Sequence, residues 1–284
     1  MKILIAGGSG QLAKEFIFEL KKRNIPFFAP DEKIFDVTNK KKIEEVVCSY
    51  KPDIILNCSA YTNVEEAEKN KKLAYLINKD AIGYIVEYAK KENIKFIHFS
   101  TDYVFDGKKQ TRYVETDITN PLNEYGKSKL EGEKEALSYD NSIVFRLSWL
   151  TGNGKQNFLY KLLGWTKKFN EINVSCDEVS VPTFAFDVVQ YVIMAAEKNL
   201  KGLYHLPNSG AASRYELATE FIKNMGINIK INPVPMASFP SKAIRPLYSV
   251  MSNEKISKQL NVVVPDWKDS LKKFCDNLQN NIIL

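Results

Sequence analysis

Short apolar runs alternate with longer amphipathic stretches through the first half of the chain. The apolar runs predict buried strands at residues 3–6, 27–29, 53–60, 95–99 and 142–148. The amphipathic stretches predict helices over 11–23, after a cap at Thr38 or Asn39, over 65–92 with an interruption near 78–80, and around Tyr125. Strands that alternate with helices in this way indicate an α/β fold with a doubly wound, Rossmann-type parallel sheet.

Beyond residue 150 the alternation becomes less regular. Helices are predicted over 157–168, over 186–198 and from Trp267, and strands around 172–174 and 203–206. We therefore expect residues 1–150 to form a dinucleotide-binding Rossmann domain. Residues 151–284 are expected to form mainly a smaller, interdigitated C-terminal substrate-binding lobe, with some segments returning to the Rossmann domain.

A glycine-rich loop, Gly7-x-x-Gly10-x-x-Ala13, joins the first strand to the first helix. Glycine lets backbone N–H groups approach a pyrophosphate at the helix N-terminus, and Ala13 lets the helix pack close to the strand. Asp31 lies where an acidic side chain can hold a ribose 2′-hydroxyl, whereas Lys33 is close enough to favour a 2′-phosphate. The loop predicts a nicotinamide dinucleotide site and leaves the choice between NADPH and NADH open.

Tyr125 and Lys129 lie one turn apart on one face of a predicted helix. An ammonium group there can lower the pKa of the phenol from its ordinary value of about 10, so that Tyr125 can exchange a proton with a substrate oxygen. Thr101 follows the fourth predicted strand and can hydrogen-bond a carbonyl oxygen beside the tyrosine. A proton donor beside a hydride carrier predicts a carbonyl reductase.

Composition narrows the class of protein. Of 284 residues, 44% are hydrophobic and 26% charged, which is typical of a soluble globular protein. The net charge of +6 comes from scattered lysines, so no nucleic-acid partner is predicted. The four cysteines lack disulfide or zinc spacing, and no segment reaches transmembrane length, so we expect a cytoplasmic protein with no membrane partner. His98 and His205 lie in apolar runs, and we interpret them as core residues.

Several further segments occur together, in this order, in the extended short-chain dehydrogenase/reductases. They are Ala60-Tyr61-Thr62, residues 100–107, residues 121–133, residues 146–149, Tyr204-His205-Leu206, Arg245-Pro246 and Pro265-Asp266-Trp267. Because they span nearly the whole chain, the sequence resembles the members of that family that reduce dTDP-4-dehydrorhamnose.

The resemblance implies an oxidoreductase that reduces the C4 keto group of the nucleotide-sugar dTDP-4-dehydro-L-rhamnose to dTDP-L-rhamnose, for cell-surface polysaccharide biosynthesis. It implies a hydride from NADPH (NADH being possible), a proton from Tyr125, Lys129 on the nicotinamide ribose, and Thr101 in the role usually taken by serine. It places Thr101, Asp102 and Trp149 near the substrate. Near the cofactor, besides the glycines and Asp31, it places Gln11, Leu12, Asp36, Val37, Ala60 and Tyr61. Related dehydratases carry a glutamate where this chain has Tyr103, which favours reduction over dehydration.

Departures from the family pattern concern the substrate pocket. Ala6 replaces a common threonine, residues 177–183 differ from the run Asp-Gln-x-Gly-x-Pro-Thr, and Ile244 replaces the first of two arginines. Glu15 matches one position of a metal-mediated dimer contact whose other positions are not recognisable, so we predict a monomer or weak homodimer with no required metal. A reductase or epimerase of a different nucleotide-sugar stays open. So does a non-catalytic cofactor-binding subunit, since the regulatory subunit of methionine adenosyltransferase resembles the same family.

Overall fold

The structure, a computed structural model, describes residues 1–154 and 156–280. Its helices are α1 (Gln11–Lys22), α2 (Lys40–Tyr50), α3 (Val64–Lys69), α4 (Lys71–Tyr75), α5 (Ala81–Lys91), α6 (Glu124–Leu137), α7 (Phe158–Thr166), α8 (Ala185–Glu197), α9 (Arg214–Asn224), α10 (Glu254–Leu260) and α11 (Trp267–Gln279). A π-helical turn spans Leu76–Asp80, and 3-10 turns span Asp102–Val104 and Met236–Ser238.

The strands are two to seven residues long. They are β1 (Ile3–Ala6), β2 (Phe27–Phe28), β3 (Ile54–Asn57), β4 (Lys95–Thr101), β5 (Ser142–Leu147), β6 (Leu150–Thr151), β7 (Glu171–Ser175), β8 (Val179–Ser180), β9 (Thr183–Phe184), β10 (Gly202–His205), β11 (Ala212–Ser213) and β12 (Lys230–Val234). The third strand thus ends at Asn57, and the small residues up to Ala60 form the loop that follows it. Asn39 caps α2, since its side chain accepts two backbone N–H groups.

Six of these strands form one parallel sheet in the order β10-β5-β4-β3-β1-β2. The central strands are buried on both faces, as their continuous apolar sequences predict. The order of the strands reverses between β1 and β3. Open α/β sheets bind ligands at such a switch point, beyond the carboxyl ends of the strands.

Helices cover both faces of the sheet, which confirms the predicted doubly wound arrangement. On one face the hydrophobic core joins α1, α8 and α10 to the sheet, with Phe16 and Leu20 fully buried. On the other face the core joins α2, α5 and α6, with Ile43 and Ile85 fully buried. Both faces are therefore closed to solvent, and the site is left to the carboxyl edge.

A third core lies outside the sheet, in the second half of the chain. It joins α7, α9 and α11 to β7, with Phe184 and Phe221 fully buried. The chain also returns to the sheet there, because β10 pairs with β5 and α8 packs on the first face. The interdigitation of the lobe is thus observed, whereas the division at residue 150 stays a prediction. Within its second range, residue 155 and residues 281–284 lie outside the described residues.

Candidate active site

The loop after β1 forms a cradle of backbone groups at the N-terminus of α1. Gly7 has a φ of +74°, and the Gly10 N–H donates to the Gly7 carbonyl oxygen at 3.0 Å. A Cβ on Gly7 would lie 2.7 Å from the backbone nitrogen of Ser59, so the position requires glycine. Gly10 begins the helix without a capping side chain, which leaves the first N–H groups of α1 available to an anion.

The side chains of Gln11 and Leu12 are engaged elsewhere. Gln11 Nε2 donates to the carbonyl oxygen of Leu150 at 3.1 Å, which ties the start of α1 to β6. Leu12 is 6% exposed and packs in the core beneath the sheet. Both residues were predicted to lie near the cofactor. Since their side chains have other partners, their backbone N–H groups are what they can offer a cofactor.

The end of β2 lies directly beside the glycine loop. A Cβ on Gly8 would lie 3.1 Å from the carbonyl oxygen of Ala29, two residues before Asp31. Asp31 is exposed, and its Oδ1 accepts the Ile34 N–H at 3.1 Å. Asp36 uses one carboxylate oxygen to accept the N–H and the hydroxyl of the residue two positions on, and Val37 is buried in the core. Of these predicted cofactor residues, Asp31 presents the most accessible carboxylate.

One asparagine ties the loop after β3 to α6. Asn78 lies in the π-helical turn; its Oδ1 accepts the Tyr61 N–H at 2.8 Å, and its Nδ2 donates to the Tyr61 carbonyl at 3.1 Å and to Ser128 Oγ at 3.0 Å. Ala60 and Tyr61 therefore have a backbone fixed against the helix that carries Tyr125. The sequence indicated an interruption at this point and gave no sign of the residues that it joins.

Strand β4 and helix α6 bring Thr101 and Tyr125 together. Thr101 ends β4, and Tyr125 lies in the first turn of α6, where the Asn123 side chain accepts the Gly126 N–H at 2.8 Å. Burial raises the pKa of Tyr125 to about 12; a hydrogen bond with the Thr101 side chain opposes the rise, and the charge of Asp102 adds to it. The phenol is therefore protonated at neutral pH and can act as an acid.

Lys129 is buried against β4, which its spacing along the helix did not indicate. Its side chain is buried, and its Nζ donates to the carbonyl oxygen of Phe99 at 2.6 Å and lies 3.4 Å from His98 Nε2. Burial lowers the pKa of Lys129 to about 8, with Glu133 opposing the change. The predicted lowering of the Tyr125 pKa below 10 is wrong for this structure. Burial is the largest influence on the pKa of Tyr125, and the ammonium of Lys129 is turned towards β4.

Asp102 has internal hydrogen-bond partners. The residue is 2% exposed, and its carboxylate accepts from Thr101 Oγ1 at 3.1 Å, Ser180 Oγ at 3.1 Å and Ser249 Oγ at 2.5 Å. Burial raises its pKa to about 6, and the hydroxyl groups oppose the rise. The resemblance placed Asp102 at the substrate. In the structure its carboxylate instead orients Thr101 and connects β4 to the second half of the chain.

Trp149 combines a strained backbone conformation with a ring contact to Arg214, which the sequence analysis did not select. Its φ is +42°, and the guanidinium carbon of Arg214 lies 3.5 Å from the centre of its ring. Arg214 Nε in turn lies 3.6 Å from Glu178 Oε2. The indole Nε1 of Trp149 is buried and has no hydrogen-bond partner among the described residues. Such a donor fits a substrate oxygen.

A second guanidinium faces the same region. Arg245 Nη2 binds Glu65 Oε1 at 3.0 Å, and the buried Nε of Arg245 has no partner within residues 1–154 and 156–280. Ile244 is exposed, so the substituted arginine position opens to solvent. Tyr103 Oη lies 3.5 Å from Glu178 Oε1, and burial raises the pKa of Tyr103 above its usual value. Tyr103 therefore remains protonated where the related dehydratases carry a carboxylate.

Metal and membrane signatures are absent from the described parts of the chain. Within 1–154 and 156–280, no three His, Cys, Asp or Glu side chains form a group suited to a metal ion. Glu15 is buried, and its Oε1 accepts the Asn153 N–H at 3.3 Å. No helix in these ranges is both long and apolar enough to cross a bilayer.

The sequence matches the family described as the RmlD substrate binding domain over residues 1–280. The chain belongs to this family. A curated relative, dTDP-4-dehydrorhamnose reductase of Escherichia coli (strain K12), is 34% identical over 293 residues, which cover 98% of this chain and 98% of the relative.

Solved RmlD-type structures agree with the fold. The dTDP-4-dehydrorhamnose reductase ortholog of Clostridium acetobutylicum superposes with a TM-score of 0.95 at 34% identity, covering 98% of this chain and all of that one. The dTDP-4-dehydrorhamnose reductase of Bacillus anthracis, solved in complex with NADP, gives a TM-score of 0.92 at 32% identity, covering 96% and 98%. The sequence resemblance is therefore confirmed at the level of the family.

Proposed function

We propose that this protein reduces the C4 keto group of dTDP-4-dehydro-L-rhamnose to dTDP-L-rhamnose, with NADPH as the reductant. The observation that carries the proposal is the pairing of Thr101 with a protonated Tyr125 at the carboxyl edge of β4. The glycine cradle after β1 lies at the same edge of the sheet. The proton donor and the expected hydride site thus lie at one edge of the sheet.

The cradle suits a dinucleotide. Gly7 and Gly10 leave it without side chains, and the N-terminus of α1 supplies N–H groups for a pyrophosphate. Ala29, two residues before Asp31, lies against Gly8, and Ser59, which precedes Ala60 and Tyr61, lies against Gly7. When bound there, NADPH supplies the hydride that C4 accepts. The NADP complex of the Bacillus anthracis relative supports NADPH over NADH.

Tyr125 donates its proton to the C4 oxygen as the carbonyl becomes an alcohol. A phenol with a pKa near 12 holds its proton until negative charge develops on that oxygen. The single proton of the Thr101 hydroxyl, which Asp102 accepts in this structure, turns to the phenolate that remains and stabilises it, while Asp102 keeps the hydrogen bonds from Ser180 and Ser249. Lys129 remains near the nicotinamide ribose as the positive group of the site.

The second half of the chain supplies donors for the nucleotide-sugar. We assign Trp149 Nε1 and Arg245 Nε to substrate oxygens, because buried donors of this kind need acceptors. Arg214 holds the indole in place. Dehydration would need a second acid/base carboxylate, and Tyr103 does not provide one.

A labelled cofactor tests this function. NADPH carrying deuterium at the transferable position, mixed with dTDP-4-dehydrorhamnose, should place one deuterium at C4 of the sugar. Deuterium at C4 of another dTDP-4-keto sugar, with none in rhamnose, would move the assignment to a different nucleotide-sugar. Tight NADPH binding with no transfer to any 4-keto sugar would favour the non-catalytic subunit.

The state of the molecule in solution belongs to the same proposal. We expect a monomer or weak homodimer that works in the cytoplasm, where its nucleotide substrates are made. Light scattering with and without EDTA tests this expectation. A stable dimer that EDTA dissociates would contradict both the predicted oligomeric state and the predicted independence from metal.

A further inference from the structure

A buried polar chain runs from the glycine cradle to Lys129. It begins at Ser59, whose backbone lies against Gly7 and whose N–H and hydroxyl both donate to Asn57 Oδ1, at 3.1 and 2.5 Å. Two donors on one oxygen fix the orientation of the Asn57 amide. Its Nδ2 therefore points across to His98, which pairs with Asn57 in the register of β3 and β4.

This orientation determines the tautomer of His98. Asn57 Nδ2 donates to His98 Nδ1 at 3.1 Å, so that ring nitrogen carries a lone pair and no proton. The ring is fully buried, and burial together with the charge of Lys129 lowers the pKa of His98 well below its usual value, which keeps the imidazole neutral. Its one N–H is therefore on Nε2, which faces Lys129 Nζ at 3.4 Å; two donors meet there, so this contact limits the position of the ammonium by repulsion and is not a hydrogen bond.

The ammonium of Lys129 is confined by this contact. The carbonyl oxygen of Phe99 accepts from Nζ on one side, and the His98 ring blocks the other. Farther along α6, Glu133 attracts the charge, but its carboxylate is held by Arg146 of β5 in two hydrogen bonds. The position of Nζ is thus set by β4, and through it by the loop after β3.

We propose that His98 is a positioning residue: it holds Lys129 Nζ in the active site and couples its position to the Asn57–Ser59 loop that lines the cofactor cradle. The inference rests on the proposed function for the role of Lys129 towards the nicotinamide ribose. A residue that acts in this way changes cofactor affinity and turnover through Lys129, without touching substrate or cofactor itself.

Two variants of His98 separate its two contacts. In His98→Asn, the new side-chain oxygen lies where Nδ1 was and still accepts from Asn57 Nδ2. In His98→Gln, the new amide group lies where Nε2 was and still contacts Lys129. We expect His98→Gln to lose stability but keep NADPH affinity. We expect His98→Asn to keep stability but lose NADPH affinity about tenfold, which is within the range of coupling between residues in contact.

A double-mutant cycle ties the effect to Lys129. In a Lys129→Met background, His98→Asn should change NADPH affinity by less than about twofold, because the ammonium through which His98 acts is no longer present. His205→Asn is the matched control. His205 is equally buried, in β10, and contacts Arg146 instead of Lys129, so its loss should lower stability and leave affinity unchanged.

Titration of intrinsic fluorescence with NADPH, together with urea unfolding, measures both quantities on the whole protein and needs no substrate. If affinity and stability fall together in both His98 variants, His98 is a structural residue and the proposal fails. An undiminished effect of His98→Asn in the Lys129→Met background also overturns it. Failure of the proposed function appears separately, as wild-type protein that binds NADPH and does not turn over the sugar.

Discussion

Gly126 lies between Tyr125 and Lys129, and its replacement by alanine should separate the chemistry from the binding. A Cβ at this position would lie 2.3 Å from the carbonyl oxygen of Tyr103, in the turn that follows Thr101. Real Cβ contacts essentially never fall below 3.0 Å, so α6 must retreat by at least 0.7 Å, the difference between 3.0 and 2.3 Å. Because the obstacle is backbone, no side-chain rotation relieves it.

The displacement moves Tyr125 away from Thr101. A misplacement of about 1 Å in an active site costs about a hundredfold in rate. We therefore expect the kcat of Gly126→Ala to fall roughly ten- to hundredfold. The better helix propensity of alanine, worth about 1 kcal/mol, is offset by an overpacking cost of about 1–3 kcal/mol.

Gly164→Ala in α7 is the matched control. No atom outside the adjacent residues and the local helix backbone lies within 4 Å of its added Cβ, so it should gain about 0.5–1 kcal/mol in the free energy of unfolding and keep full activity. Urea unfolding and steady-state NADPH oxidation measure the two effects. A wild-type kcat in Gly126→Ala would refute the claim that this contact sets the Thr101–Tyr125 geometry.

Three further changes probe the interior of the site. Lys129→Met should be about 3 kcal/mol more stable than wild type at pH 7, because burial lowers the pKa of Lys129 from 10.5 to about 8. Between about pH 8 and 10.5 the unfolded wild type binds a proton that the folded wild type does not, so the free energy of unfolding of the wild type should rise with pH. The difference in stability between Lys129→Met and wild type, measured by urea unfolding, should therefore shrink over this range. Equal pH slopes in the two proteins would contradict this assignment. Glu133→Gln should cost about 3–5 kcal/mol of unfolding free energy by leaving Arg146 buried without its carboxylate, and a cost below about 1 kcal/mol would show that the pair is not desolvated. Thr101→Val should lower kcat about a hundredfold, whereas Thr101→Ser should retain most of it; equal losses in both would remove the hydroxyl from the mechanism.

The local features of the fold could be predicted from the sequence, because period and capping are encoded within short segments. The strands of the sheet, the Asn39 cap and the interruption near residue 78 all follow from such patterns. His98 and His205 were correctly interpreted as core residues, since apolar neighbours predict burial.

The contacts that tune the site could not be predicted in the same way. Lys129 has its partners on β4, about 30 residues earlier in the chain, so helix spacing placed it beside Tyr125 and gave no information on the direction of Nζ. The sign of the Tyr125 pKa shift depends on burial, which the spacing does not contain. Arg214 begins α9 and Glu178 directly precedes β8, about 36 residues earlier, so only the tertiary structure reveals the pair.

We propose Tyr125 as the proton donor of a nicotinamide-dependent reduction. The most direct measurement compares wild type with Tyr125→Phe in the oxidation of NADPH by dTDP-4-dehydrorhamnose, with NADPH affinity measured on the same samples. We expect the variant to lose at least about a hundredfold in kcat while its NADPH affinity changes by less than about threefold. Turnover of the variant at the wild-type rate would contradict the account.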